Sequence, residues 1–202
     1  VAAVPRTISE FYGFPEALFE PHYPAHGQPD LAHEVATILK SHRAQEDDTW
    51  GLDHGAWAVL KFLYPKADVP VFQVSIDMSR GLAHQLDIGR TLSELRDRGV
   101  LILGSGNVVH NLRAMRRGGE PLDFALEFDT LFADRLADRD FAALADTKGL
   151  GALLSAAHPT LDHYLPALAV AGASDARDDL TFMTDAIDLG SVSMRSFIFH
   201  AN

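Results

Sequence analysis

The sequence predicts an α/β fold with parallel strands, because strand and helix patterns alternate in its middle third. Two short segments rich in β-branched and other apolar residues, "VPVFQVSI" at 69–76 and "VLIL" at 100–103, are typical of buried strands. Between them leucines recur at helical spacing from Leu82 to Leu95, and Gly99 ends that helix. A second helix is expected after 103. This order describes a right-handed βαβ unit.

The other elements follow from periodicity and from the positions of Pro and Gly. Residues 1–29 contain five prolines and are expected to form an ordered loop region. The length of 202 residues with 47% hydrophobic side chains fits a single domain over 1–202. Predicted helices cover Asp30 to Ser41, 55–64, 121–146 and Leu161 to Val170, and a closing strand covers 191–199.

Composition argues against several kinds of partner. The net charge of −11 disfavours nucleic acid, and the one basic cluster, Arg113, Arg116 and Arg117, is typical of a solvated helix face. The absence of cysteine excludes thiolate chemistry, so any metal would be held by nitrogen and oxygen. No run approaches the roughly 18 apolar residues of a membrane span, and no signal-peptide pattern is found. We expect a cytoplasmic protein with no membrane partner.

Two of the ten histidines stand in a pattern that suggests chemistry. In "GSGNVVHNLR" (104–113) a strand passes through a glycine turn into the predicted helix, where Asn107 would be the N-cap and His110 the third helical residue. In "HPTLDHYLP" (158–166) Thr160 would cap a helix and His163 would occupy the same position. The positive end of a helix dipole disfavours imidazolium, so both histidines are expected to be neutral and able to bind a metal or accept a proton.

His54, in "WGLDHGAW", precedes a predicted helix, and its neighbour Gly55 leaves room for a ligand. Two interpretations remain open for it: a residue of a catalytic site, or a helix-entry histidine bonded to the backbone. The remaining histidines are expected to be exposed or structural: His22, His26, His33, His42, His84, His158 and His200.

Four blocks in order, "FYGFPEALFEPHYPAHGQPDLA", "WGLDHGAWAVLKFLYPKADVPVFQVSID", "GSGNVVHNLR" and "HPTLDHYLPAL", resemble the 4,5-DOPA dioxygenase-like family of the class III extradiol ring-cleaving dioxygenases. The resemblance covers nearly the whole chain. It implies an α/β sandwich with a mixed, partly parallel central sheet flanked by helices. It also implies insertion of both atoms of O2 into a catechol such as DOPA at a non-haem metal, with Fe(II) for activity and Zn(II) able to occupy the same site.

The resemblance implies roles for three residues. His163 matches a metal-ligand position, and His110 matches a further ligand or the acid/base group. His54 matches the family's "DHG" block and would act in catalysis by contacting substrate or oxygen. The family's "HGSP" and "SAHW" motifs, each with a metal-ligand histidine, do not occur in the 202 residues. We therefore expect a strand-helix-strand segment to precede Val1 in the complete protein.

Two alternatives stay open. If both upstream histidines were lacking, a non-catalytic metal-binding or interaction protein that keeps the dioxygenase fold would be the better interpretation. Hydrolysis at a zinc site is the other, although only the metal itself favours it. The sequence does not select among catechols, and a homo-oligomer is compatible with it.

Overall fold

The computed structural model describes residues 2–8 and 22–201, which form two compact units within Val1–Ser75 and Ile76–Asn202. The helices are α1 (Pro29–Ile38), α2 (His54–Leu63), α3 (Leu82–Leu92), α4 (Asp123–Ala137), α5 (Phe141–Leu144), α6 (Thr147–Ala157) and α7 (Leu165–Ala173). The strands are β1 (Asp179–Thr184), β2 (Ile187–Asp188), β3 (Val192–Ser193) and β4 (Ser196–His200). Short 3-10 helices cover Leu39–His42, Ser93–Arg98 and Leu112–Ala114.

The first unit is organised around Trp57. This side chain is 5% exposed, lies on α2 and donates a hydrogen bond from Nε1 to the Ile8 carbonyl at 2.8 Å. Tyr23 and Leu52 pack into the same apolar cluster, and the Tyr23 hydroxyl donates to the Tyr64 carbonyl at 2.9 Å. The buried donors of Trp57 and Tyr23 are thereby satisfied, so their burial leaves no hydrogen-bonding group of these two side chains without a partner.

The core of the second unit is built on one face of α4. Ala125, Phe128, Phe132 and Leu136 follow a three- and four-residue spacing, and all are fully buried. Tyr164 meets the rings of Phe128 and Phe132 edge to face and donates its hydroxyl to a main-chain carbonyl. Because Tyr164 directly follows His163, this aromatic cluster fixes the backbone that carries a predicted site residue.

Two small antiparallel sheets complete the second unit: β1 pairs with β4, and β2 pairs with β3. In the second pair Asp188 faces Val192, and Val192 also forms an isolated antiparallel bridge with His110. The β2–β3 hairpin therefore reaches the segment that carries His110.

Several predicted elements agree with the structure. The helices α1 and α2 match the predicted helices within a few residues. The helix α3 continues as a 3-10 helix through Arg98 and ends at Gly99, as predicted. The expected loop character of residues 1–29 is observed for 22–28, while 9–21, including Phe11 and Phe14, lie outside the described residues.

The predicted strands at 69–76 and 100–103 are not found as strands in the described part of the chain. Strand pairing requires a neighbouring ladder, and neither segment has one there, so the predicted βαβ unit is absent from the described residues. Leu101 and Leu103 are instead 56% and 43% exposed. A β-rich composition predicted strands where the described residues supply no partner for them.

The predicted long helix at 121–146 is divided. The helix α4 ends near Arg139, which has a left-handed φ of 56°, and Asp140 caps the separate helix α5 through the Ala143 N–H. The closing strand at 191–199 is likewise two short strands. The helix α6 and the strand β1 were not predicted. No helix among the described residues is long and apolar enough to cross a membrane.

Candidate metal and catalytic site

The segment 104–110 reaches His110 without forming a helix. The His110 N–H donates to the Ala157 carbonyl at 3.0 Å, and the Ser193 N–H donates to the Val109 carbonyl at 2.9 Å. These bonds tie the segment to the end of α6 on one side and to β3 on the other. His110 is therefore held by contacts with residues distant in sequence.

Two glycines let this segment approach the turn that carries His163. A Cβ atom added to Gly106 would lie 2.2 Å from the His163 carbonyl oxygen, and one added to Gly104 would lie 2.6 Å from the Pro166 carbonyl oxygen. Both distances are too short for any side chain. The glycines of "GSGN" therefore allow close main-chain packing between the two predicted site segments.

The predicted helix positions of the two histidines were wrong. Asn111, not Asn107, is an N-cap, and it serves only the 3-10 helix after His110. His163 lies in a turn, and α7 begins two residues later. Helix dipoles therefore do not explain a neutral state of either ring.

The structure nevertheless brings His110 and His163 together. Their rings stack with centroids 3.4 Å apart and planes inclined by 7°. Both residues are half-buried. Two imidazolium cations at this separation would repel each other strongly, so the stack favours at least one neutral ring.

Burial favours the neutral form of His110. It lowers the pKa of the His110 imidazole, and the nearby Asp162 carboxylate only partly opposes the shift. Burial alone would raise the pKa of Asp162, but hydrogen bonds, first from Thr160, and the adjacent histidines lower it on balance. Asp162 Oδ2 lies 3.8 Å from His163 Nε2. The pair thus combines an imidazole whose neutral form is favoured, His110, with a nearby carboxylate, Asp162.

A polar network of side chains contacts the histidine pair at His163 Nδ1. The Asn107 amide nitrogen donates to the Ser193 carbonyl at 2.9 Å, and the Asn107 carbonyl oxygen lies 2.9 Å from His163 Nδ1. The Ser193 hydroxyl donates to Asp129 at 2.6 Å, and Arg195 donates to both Asp129 carboxylate oxygens. Sequence reasoning missed Asp129, Ser193 and Arg195, because nothing in the local pattern relates residues 64 or more positions apart.

His158 was expected to be structural, and it is 3% exposed. Its Nε2 donates to the Val108 carbonyl at 2.7 Å, and its Nδ1 finds no hydrogen-bond partner among residues 2–8 and 22–201. Burial, followed by the charges of His110 and His163, lowers the pKa of His158 to about 4, against the opposing effect of its bond to Val108. His158 therefore stays neutral beneath the pair at ordinary pH.

His54 belongs to the first unit and is exposed at the first position of α2. The preceding Asp53 caps this helix through the Ala56 N–H, and Gln73 holds Asp53 by two reciprocal hydrogen bonds of 2.8 and 2.9 Å. The helix entry that carries His54 is thus rigidly defined. His54 and the histidine pair belong to different units, and His54 remains a predicted site residue.

The donor chemistry fits a non-haem metal. The pair offers imidazole nitrogens, which suit Fe(II) and Zn(II), and the sequence offers no thiolate. Among the residues the structure describes, no group of three or more His, Asp or Glu side chains is arranged to hold a metal. Within the described part of the chain, the pair could therefore supply only part of a coordination sphere.

Ring geometry distinguishes the two histidines. A metal bound to an imidazole lies close to the plane of the ring, along the nitrogen lone pair. Two stacked rings with centroids 3.4 Å apart and planes inclined by only 7° do not share a plane. One ring can bind a metal as placed, whereas binding by both would require one of them to rotate.

The comparisons with known proteins agree with this chemistry. Residues 1–189 match the family model described as the catalytic LigB subunit of aromatic ring-opening dioxygenase. The chain belongs to this family, which confirms the resemblance found in the sequence and the assignment to the extradiol ring-cleaving dioxygenases. Such enzymes act on small molecules with O2 and are in general dependent on a non-haem metal.

Similar curated proteins carry a more particular name. The chain is 40% identical to a 4,5-DOPA dioxygenase extradiol of Escherichia coli K12, over 95% of this chain and 73% of that protein. Proteins of the same name from Mirabilis jalapa and Beta vulgaris are 34% and 30% identical, over 83% and 98% of this chain and 64% and 76% of theirs.

A solved structure is similar as well. The crystal structure of an uncharacterized protein from Escherichia coli K12 superimposes with a TM-score of 0.76 at 35% identity, covering 97% of this chain and 80% of that one. The mixed helical and sheet architecture is therefore shared with a known fold. The described residues do not contain the parallel central sheet that the resemblance implied.

Proposed function

We propose that this chain cleaves catechols at a non-haem iron site in which His163 is a metal ligand and His110 is the neighbouring acid/base group. The observation that carries the proposal is the parallel stack of the two imidazoles, 3.4 Å apart. The stack places the imidazole of His163, whose nitrogen suits a metal, beside the neutral ring of His110, which does not lie in the plane of the His163 ring. DOPA is the first substrate to test, because the named relatives act on it.

When bound, Fe(II) would hold the catechol and O2 side by side and make electron transfer between them possible. The protein's own contribution is proton handling. Burial keeps His110 neutral, so its imidazole can take a proton from a catechol hydroxyl and later return one to the product. Asp162 provides a negative charge close to the pair, which would stabilise the imidazolium formed in between.

His54 is the proposed substrate-binding residue, and it completes the catalytic set with His110. The support is its match to the family block and its exposed place on a helix entry fixed by Asp53 and Gln73. We expect His54→Ala to raise KM for the catechol more than it lowers kcat. Unchanged steady-state constants in this variant would remove His54 from the site.

Ring cleavage is tested by mixing iron-loaded protein with DOPA in air and following the yellow ring-opened product by absorbance. We expect product from the wild type and from the control variant His200→Ala, which removes an exposed histidine from the unit that also carries His110. His110→Ala is expected to lose a factor of about 100 or more in rate. No product from wild type with DOPA or with simpler catechols would overturn the proposal.

The two possible roles of His110 are separated by His110→Gln. We expect this variant to retain its iron in native mass spectrometry and to lose ring cleavage, since the stacked ring lies outside the plane of His163. Loss of iron together with activity would instead make His110 a second metal ligand.

Further features complete the proposal. We infer that residues 1–202 act as one catalytic domain and that the fold is a sandwich with a mixed, partly parallel central sheet; support comes from the neighbour with a TM-score of 0.76 and the exposed Leu101 and Leu103. Iron is the proposed physiological metal, with zinc able to replace it. We also propose a cytoplasmic location, which cell fractionation tests, and a homo-oligomeric state, which light scattering tests. Neither nucleic acid nor a membrane is a proposed partner.

A further inference from the structure

The hydrogen bonds of Asn107 determine which way its amide points. The Ser193 carbonyl can only accept, so the group that faces it at 2.9 Å must be the Asn107 NH2. The Asn107 carbonyl oxygen then faces His163 Nδ1 at 2.9 Å. An oxygen acceptor in this position requires a proton on Nδ1, which leaves the lone pair of a neutral His163 on Nε2.

The Ser193 carbonyl is itself held in place. Ser193 is fully buried, its N–H donates to the Val109 carbonyl, and its hydroxyl donates to the buried carboxylate of Asp129. Arg195 donates from Nε and from Nη2 to the same carboxylate, and its guanidinium lies over the Phe182 ring. The Asn107 amide therefore rests on a satisfied, largely buried ion-pair network rather than on a mobile side chain.

We propose that Asn107 is a positioning residue that fixes His163 in the Nδ1–H tautomer and thereby presents Nε2 as its metal-binding nitrogen. The inference rests on the proposed function, because it assumes that His163 is a ligand. A histidine ligand whose other ring nitrogen is held by an acceptor keeps its orientation and gains basicity. Without Asn107, the ring is free to adopt the other tautomer, and each metal-binding event must first select the competent one.

Two variants of Asn107 separate this role from a purely structural one. Asn107→Asp keeps an oxygen acceptor for His163 but loses the donor to Ser193 and places a carboxylate oxygen against that carbonyl. Asn107→Leu keeps the same branching and number of side-chain heavy atoms and loses both bonds. If Asn107 served only to anchor the backbone at Ser193, both variants would fail alike; if it acts through His163, the aspartate variant is rescued.

The first readout needs no metal and no activity. Long-range 15N–1H correlation spectra of metal-free protein at mildly alkaline pH distinguish the protonated ring nitrogen from the one with the lone pair. The signals of His163 are assigned by their loss in His163→Gln. We expect Nδ1–H in the wild type and in Asn107→Asp, and a mixture of tautomers in Asn107→Leu.

The second readout is Zn(II) affinity, measured by competition with a chelator. We expect Asn107→Leu to bind Zn(II) about 10- to 100-fold more weakly than wild type and Asn107→Asp to bind within a few-fold of it. Circular dichroism establishes that each variant is folded, and the wild-type spectrum remains decisive if the leucine variant is not.

The outcomes separate this inference from the proposed function. A wild-type His163 protonated on Nε2, or equal Zn(II) affinity in wild type and Asn107→Leu, would overturn the role of Asn107 whatever the activity. A wild type with the Nδ1–H tautomer and weaker Zn(II) binding by Asn107→Leu would confirm the positioning role; absence of catechol cleavage in that wild type would then count against ring cleavage alone.

Discussion

Acidification should destabilise the protein through His158, the buried imidazole beneath the histidine pair. Its folded-state pKa is about 4, whereas the ordinary value is 6.5. Below pH 6.5 the unfolded chain therefore binds a proton that the folded chain does not. At about 1.4 kcal/mol per pH unit, this gap is worth about 3 kcal/mol of folding free energy. That stability is fully present above pH 6.5 and is lost as the pH falls towards 4.

Most of this change falls in a pH range that can be measured separately from other groups. About 2 kcal/mol of the loss is expected by about pH 5, before most carboxylates titrate. The assay is urea unfolding followed by circular dichroism at about pH 7.5 and about pH 5. His158→Gln is the key variant, since its amide can donate to the Val108 carbonyl in place of Nε2 and does not titrate. It should lose about 2 kcal/mol less than wild type between the two conditions.

The matched control is His22→Gln, which removes an exposed histidine and should respond to pH like the wild type. If His158→Gln loses as much stability as wild type on acidification, the reasoning from burial is refuted. A smaller difference of the same sign would mean that water reaches Nδ1 in the folded protein.

Two further predictions concern packing and the buried network. Gly106→Ala should destabilise the protein by about 1–3 kcal/mol, because its Cβ would lie 2.2 Å from the His163 carbonyl oxygen. Gly81→Ala, which meets nothing within 4 Å, is the control, and equal melting temperatures for the two variants would contradict the proposed contact. Asp129→Asn should cost about 3–5 kcal/mol, since it leaves a largely buried arginine without its carboxylate. Asp87→Asn breaks an exposed ion pair and should cost less than about 1 kcal/mol, so similar denaturation midpoints would refute the importance of burial.

Local signals in the sequence predicted much of the helical structure. Apolar spacing and Gly99 define α3 and its 3-10 extension, and the helix predicted over 55–64 matches α2 within one residue. The same signals failed where an element depends on a distant partner. The segment 100–103 has strand composition, but a strand exists only beside another, and the described residues place none there.

The candidate site shows the same division. The histidines at 110 and 163 could be selected from glycine-rich and turn motifs, but the argument from helix dipoles was wrong. Asn107 has the chemistry of an N-cap, yet its side chain bonds to Ser193 and His163, 86 and 56 residues away. Local propensity cannot anticipate which of two competing partners a short amide will take.

The close main-chain packing at Gly106 has a consequence for redesign of this enzyme. The backbone of one histidine-bearing segment rests directly on the backbone of the other, with no side chain between them. The separation of the two backbones at this point is thus set without any intervening side chain. Side chains around the pair other than Asn107 could be exchanged to admit bulkier or differently charged catechols while the two backbones keep their separation, so substrate range can evolve separately from this part of the catalytic geometry.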